Sequence, residues 1–245
     1  AGEKNGYPSI PEDALIIIPV RNMVLFPGMV VPVTIAREKS LLAAQAAMRT
    51  NRQIGIVLQR DPETANPAQK DLYPVGTRAS ILRYVAASSE AHHIVCQGES
   101  RFRLVEMLDG YPFLVARVEK IQEEPEDSVD IQGRMVQLKQ RALEILQMLP
   151  QVPKELSDSL GNVTSAALLA DLMTGLMDLT PDEKQEILET TDLKTRIDKL
   201  LSHLTYRLEI LRVSKDIDEQ TRNRLDDRHR EALLREQLKT IQNQL

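Results

Sequence analysis

From residue 182 to residue 245 the chain has neither glycine nor proline, and from Leu193 onward its pattern is helical without a break. Those two residue types are the usual helix breakers, so nothing local stops this helix. Residues 193–245 would make a rod of about 80 Å at 1.5 Å per residue. A small domain cannot cover such a rod, so part of it must leave the body it starts in. Leu201, Leu204, Leu208 and Leu211 form a dense stripe that a bundle can bury. Residues 212–231 then hold six basic and six acidic residues and few apolar ones. Leu234, Leu238, Ile241 and Leu245 resume a stripe at 4-3-4 spacing. Two readings stand. One is a solvated helix; the other is a coiled-coil arm whose last stripe meets a partner or a following domain. The pattern has no terminator, so the sequence reads as an amino-terminal piece of a longer polypeptide, and the lack of an initial Met reads as trimming at its start.

The other end has the opposite chemistry. Of 13 prolines, 10 precede residue 126, as do 7 of the 8 aromatics. Residues 1–118 carry a net +2 and residues 119–245 a net −7. Two structural units follow from that division. The first is organised around residues 15–35, LIIIPVRNMVLFPGMVVPVTI. Two short apolar, β-rich runs joined through Pro27-Gly28 read as strands with a turn. Pro32 has no N–H, which predicts an edge strand or a bulge. Met29, Val31, Val33 and Ile35 share one face; Val30, Pro32 and Thr34 share the other, which is unusually apolar for an outside. Residues 38–48 suit a short helix ended by Asn51 in a left-handed conformation. Residues 54–59, 78–85, 92–97, 101–107 and 113–121 are further strands, punctuated by Gly98 and Gly110. Many short strands with one helix predict a small closed or half-closed barrel.

Residues 119–128, EKIQEEPEDS, read as an acidic linker. Beyond it Met135, Leu138, Ala142, Ile145 and Leu149 have helical spacing. Pro150 and Pro153 break that helix. Ala166, Leu169, Ala170, Met173 and Met177 line another. Thr180-Pro181-Asp182-Glu183 opens a third, with cap, N1 proline and N3 glutamate in place. The division is therefore a β-rich domain at 10–118, the linker at 119–128, a helical bundle at 129–200 and an arm at 201–245.

Chemistry is sparse. No Gly precedes a Lys, so a GxxxxGK[ST] phosphate loop is excluded, and HExxH and GxSxG are missing. His92 and His93 are adjacent in a strand and point to opposite faces, which argues against a joint metal site. His203 and His229 have no second ligand one turn on. The single cysteine, Cys96, alternates with apolar residues and reads as core. It excludes an intrachain disulfide and fits a reducing compartment. Asp226 and Asp227 lie in a mixed-charge run that reads as solvated. The sequence carries no catalytic and no metal residues, and no apolar run approaches a membrane span. Net charge −5 and 3% aromatic residues argue against nucleic acid.

The stretch PVRNMVLFPGMVVPV resembles the start of the Lon family of ATP-dependent AAA+ proteases. DLYPVGTRASIL, GESRFRLVE and GYPFLVARVE resemble that family's following strands. LADLMTGLMDLTPDEKQEILETTDLKTRIDKLL resembles its helical part, and HREALLREQLKTIQNQL the long helix that enters the ATPase module. The resemblance runs from about Leu15 to Leu245. It implies an α+β fold, with an amino-terminal PUA-like β pseudo-barrel, then an α-helical bundle and a long carboxy-terminal helix. It implies that the ATPase, with its ATP and Mg, and the Ser–Lys peptidase lie beyond Leu245, so this region needs no cofactor and is not an enzyme. It implies a cytoplasmic homo-hexamer whose amino-terminal region recognises unfolded or damaged proteins.

Two functions are weighed on that basis. A receptor for unfolded polypeptides keeps an exposed apolar patch. Leu25, Phe26, Pro32, Leu82 and Tyr84 are its candidate residues, with Met23 and Met29 as adaptable neighbours. Against this, the same residues can cap the barrel or pack on the helices. The chain would then be a structural, oligomerising module, joined through Leu234, Leu238, Ile241 and Leu245. Nucleic-acid binding rests on the barrel analogy alone.

Overall fold

The computed structural model describes residues 6–86 and 91–244. Strand β1 (Ala14–Val20) is buried on both sides, which is why its sequence is continuously apolar. Ala14, Ile16, Ile18 and Val20 face one apolar cluster. Leu15 and Ile17 face a second, built with Val57, Leu72, Phe102 and Leu104. β1 runs parallel to β3 (Ile54–Leu58), pairing Ile16 with Ile54 and Val20 with Leu58. A parallel pair needs a crossover. It is supplied by β2 (Val30–Ile35) and helix α1 (Glu38–Thr50), whose Ala43, Ala44, Ala46 and Ala47 are buried. Asn51 ends α1 at φ 51°, as expected, and Arg52 N–H donates to Ala47 O at 2.9 Å.

Strands β4 (Val75–Ala86), β5 (His92–Leu108) and β6 (Val115–Lys120) complete a sheet ordered β2-β5-β4-β3-β1-β6. β6 also pairs with β5, which closes five strands into a ring and leaves β2 as an edge. The first half of β5 pairs with β2 and the second with β6. Gly98 does not divide β5 into the two strands that the sequence predicts. A Cβ there would lie 2.3 Å from Phe26 O, so the glycine admits a crossing backbone within an unbroken strand.

The helical half follows its local signals closely. Ser128, Ser165 and Thr180 each cap a helix: α2 (Val129–Met148), α4 (Ala166–Leu176) and α5 (Pro181–Glu189). α3 (Lys154–Gly161) lies between the first two, after Pro150 and Pro153. Met135, Leu138, Leu169, Met173, Leu200, Leu204 and Leu208 build the bundle core. The last helix, α6 (Leu193–Gln244), stays with the bundle through Leu211, and residues 212–243 are exposed.

The acidic stretch 121–128 is tied down by its carboxylates. Glu126 accepts from the Ala166 and Ala167 N–H groups at 2.9 and 3.0 Å and from Ser165 Oγ at 2.8 Å. Glu124 accepts from Leu193 N–H at 3.3 Å. Anionic groups thus meet the positive ends of α4 and α6.

Barrel and bundle share a buried polar joint. Arg101 on β5 is fully buried and grips Asp171 of α4 with two nitrogens, at 2.7 and 2.8 Å. Its Nε donates to Leu188 O at 2.9 Å. Arg196 of α6, also buried, lies 3.8 Å from Asp171 and 3.3 Å from Glu123. Ile187 and Leu188 of α5 enter the barrel's own core. Asp171→Ala would leave two buried guanidinium groups with half-exposed Glu123 as their anion and backbone carbonyls as their other acceptors. Urea unfolding should show a loss of about 3–5 kcal/mol, the usual cost of breaking a buried pair from one side. A loss below about 1 kcal/mol would mean that water or Glu123 already satisfies the arginines.

Candidate functional site

The loop 21–29 does not display its apolar residues. Leu25 and Phe26 are 2% and 0% exposed. Thr77 Oγ1 donates to Leu25 O at 2.6 Å, and Gly98 N–H donates to Met29 O at 2.8 Å. These bonds draw the loop across the sheet and turn both side chains into the core. Gly28, at φ 85°, lies under Leu168 of α4, and Gly175 lies under Met29. Leu25 and Phe26 therefore cap the barrel against the helices and are not part of a surface patch.

Tyr84 also departs from expectation. Alternation placed it on one outward face with Leu82. A bulge intervenes: Ile81 pairs with Cys96 but Arg83 with Val95, so Leu82 is the extra residue and the parity flips. Tyr84 turns to the core side, half-buried, where it stacks on His92 at 5.6 Å and hydrogen-bonds its ring nitrogen. His93 points the other way, to Thr34 at 3.1 Å, so the two histidines do separate.

Pro32 and Leu82 are exposed, and the pairing brings them together. Pro32 lies opposite Val95, which lies opposite Arg83 beside Leu82. Paired residues on neighbouring strands share a face. One row outward is Val30, beside Gln97; one row the other way are Thr34, His93 and Val85. Leu82, Val30 and Val85 are 54%, 53% and 39% exposed. The result is a mainly apolar patch across β2, β5 and β4, made of Val30, Pro32, Val95, Leu82 and Val85, with Arg83 on the same face opposite Val95. Val30 was legible from the apolar outer face of β2. Val95 and Val85 were missed, because only the register puts them beside Pro32.

A cleft of about 440 Å³ adjoins the patch at Pro32 and Thr34, walled by Arg21, Asn22, Met23 and Arg37. Arg37 reaches away from solvent to Gln59 Oε1 and to Thr64 O at 3.2 Å. Burial, then the charge of Arg21, holds its guanidinium below the ordinary arginine value. Among the described residues no group of three His, Cys, Asp or Glu could hold a metal, and no helix is long and apolar enough to cross a membrane.

Cys96 sits under the patch on the core side, and burial pushes its thiol up to about 12. In the unfolded chain a thiol loses its proton near pH 8.5–9. Rising pH therefore favours the unfolded chain, and stability falls between about pH 9 and 12. Urea melts in this range should show a steeper loss than in Cys96→Ala, by up to about 1.4 kcal/mol per pH unit. Identical slopes would mean that Cys96 ionises normally.

A closed ring of strands with an edge strand, a capped helical bundle docked on it through a buried ion pair, a long exposed helix and an apolar patch make up a two-part α+β module. Residues 14–206 match the family described as the ATP-dependent protease La (LON) substrate-binding domain. The chain is 46% identical over 247 residues to a Lon protease of Paraburkholderia phytofirmans, covering 100% of this chain and 31% of that protein. It is 35% identical over 237 residues to Lon protease 2 of Myxococcus xanthus, covering 96% of this chain and 28% of that one. The N-terminal domain of a Mycobacterium avium complex Lon protease superposes with a TM-score of 0.68 at 24% identity, over 78% of this chain and 98% of that one. This chain belongs to the Lon substrate-binding domain family, and it spans under a third of the length of these two Lon protease relatives.

Proposed function

We propose that the chain is the polypeptide-binding region of a Lon-type ATP-dependent protease, taking unfolded or damaged proteins on the Val30–Pro32–Val95–Leu82–Val85 patch. The observation that carries this is the patch itself: five apolar residues on three strands, turned away from both cores. Buried apolar segments become available only when a protein unfolds, so such a surface selects unfolded clients. Each contact is small, and affinity grows when several copies are held together. In the full-length protein the bound client passes to an ATPase using ATP and Mg and to a Ser–Lys peptidase. The subunits form a cytoplasmic homo-hexamer, to which α6 contributes. This chain by itself takes no cofactor and hydrolyses neither ATP nor casein. ATP turnover that persists through repurification would overturn that part.

NMR titration of the full chain with an unfolded client, such as reduced and alkylated lactalbumin, tests the surface. Val30→Ser with Leu82→Ser should weaken binding by about 3–10-fold, the loss of two partly buried apolar contacts, with the melting temperature nearly unchanged. Phe26→Ser should instead lose about 3–5 kcal/mol of stability, as a core truncation does. Unchanged client binding in the folded Val30/Leu82 variant would reject the patch and favour a purely structural role.

A further inference from the structure

The cleft beside Pro32 holds positive charge that no carboxylate of the described residues answers. Arg21 and Arg37 wall it, and its lining includes neither Asp nor Glu. Arg37 donates through Nη2 to Gln59 Oε1 and, at 3.2 Å, to Thr64 O, both neutral oxygens. Among the described residues its Nη1 has no partner, and its Nε is buried without one. Arg21 is exposed and makes no hydrogen bond or ion pair with the described residues. Arg37 also stands at the start of α1 and gives it no side-chain cap, while Ser40 of the first turn lines the same cleft. The unpaired amides of a helix start add to a positive field. Glu38 of that turn is exposed and lies outside the lining. A partly buried cation beside a like charge is costly until an anion compensates it.

The walls decide which anion fits. Beyond the arginines, Asn22 and Ser40, the lining is mostly apolar, with Met23 and Pro32 among it. A free phosphate would give up water on every side and recover hydrogen bonds on one. A carboxylate carried on an apolar chain sets its charge against the guanidinium groups and its carbon against the rest. The volume, about 440 Å³, lies in the range that small ligands fill. Pro32 belongs to both the cleft and the patch. From β2 the patch reaches β4 across two strand spacings, about 10 Å. Roughly three extended residues cover that length.

The geometry points to a carboxylate pocket: Arg21 and Arg37 take a carboxylate of the client polypeptide, and roughly three apolar residues next to it lie across the patch. The carboxylate is the client's C-terminus or an Asp or Glu side chain beside an apolar run. This rests on the reading of the patch as a client surface. It adds a fixed end to a contact that otherwise has no direction. A C-terminus is common to all polypeptides, so this anchor asks little of the client's sequence.

The test titrates the full chain with one apolar peptide in three forms: a free C-terminus, a C-terminal amide, and the amide with an internal Asp. Binding is read by anisotropy of an amino-terminal dye and by the arginine Nε–Hε NMR signals. The free acid should bind about 5–10-fold more tightly than the amide, the gain of charge-assisted hydrogen bonds in an open cleft. It should shift the Arg37 signal where the amide does not, and its advantage should shrink as salt rises. Arg21→Gln, at an exposed residue without protein partners, should erase most of that advantage and leave the amide's affinity unchanged. Arg83→Gln, on the patch, should leave the advantage intact. An Asp peptide that binds like the free acid makes side chains a source as well; one that binds like the amide makes the C-terminus the source, and either supports the pocket. Val30→Ser with Leu82→Ser should weaken acid and amide alike. If that variant weakens neither while the acid keeps its advantage, the pocket stands and the patch falls. Acid and amide that bind the intact chain equally overturn the pocket and leave the patch. An advantage lost with Arg83→Gln but kept with Arg21→Gln overturns it too. So does inorganic phosphate that displaces the acid at equal concentration, which marks a small-anion site.

Discussion

The Arg101–Asp171 pair holds the molecule in one arrangement. Both residues are buried, and the guanidinium fork accepts a carboxylate in few orientations. A purely apolar joint between barrel and bundle could slide at modest cost. A desolvated ion pair cannot, because any shift leaves charge without a partner. Arg196 and Glu123 extend the joint, so strand β5, helices α4 and α6 and the acidic stretch between the units meet at one point. The direction of α6 relative to the barrel follows from that point.

What the sequence revealed depended on the range of the interaction involved. Helix caps act within three residues, and Ser128, Ser165 and Thr180 were readable for that reason; so were the stripes of α2 and α4. Strands were readable as runs, but their facing was not. The bulge at Leu82 arises from pairing with a strand ten residues on and reverses the side of Tyr84. Phe26 sits among turn residues and has the local look of a loop tip. It is buried because Thr77, 52 residues from Leu25, holds its loop inward. Asp171 sits between core residues of α4, where one acid gives no local sign of its arginine 70 residues earlier. The Pro32 and Leu82 end of the patch was legible; its Val95 centre depended on register alone.

β5 assigns the two tasks to its two halves. Residues 101–108 carry Arg101 and the pairing with β6, so this half fixes the bundle. Residues 92–97 carry Val95 and the pairing with β2, so that half presents the patch. Gly98 marks the change, where the 21–29 loop crosses. Under the proposed function, client contact would thus meet the outward face of one half without loading the joint at the other.

Under the proposed function, Pro32 also limits how a client could be held. Met29 O accepts from Gly98 N–H, and pairing alternates along β2 from there, so the backbone groups of Val30, Pro32 and Thr34 face the open edge. Proline removes the middle donor from that edge, which makes it a poor template for an added strand. A client strand paired along β2 would lose a hydrogen bond at its centre and leave a carbonyl unmet. Side-chain contact on the flat of the sheet has no such defect. Under the proposed function such contact would also have no register to satisfy, so it would read apolarity and ignore sequence, as discrimination between folded and unfolded chains requires.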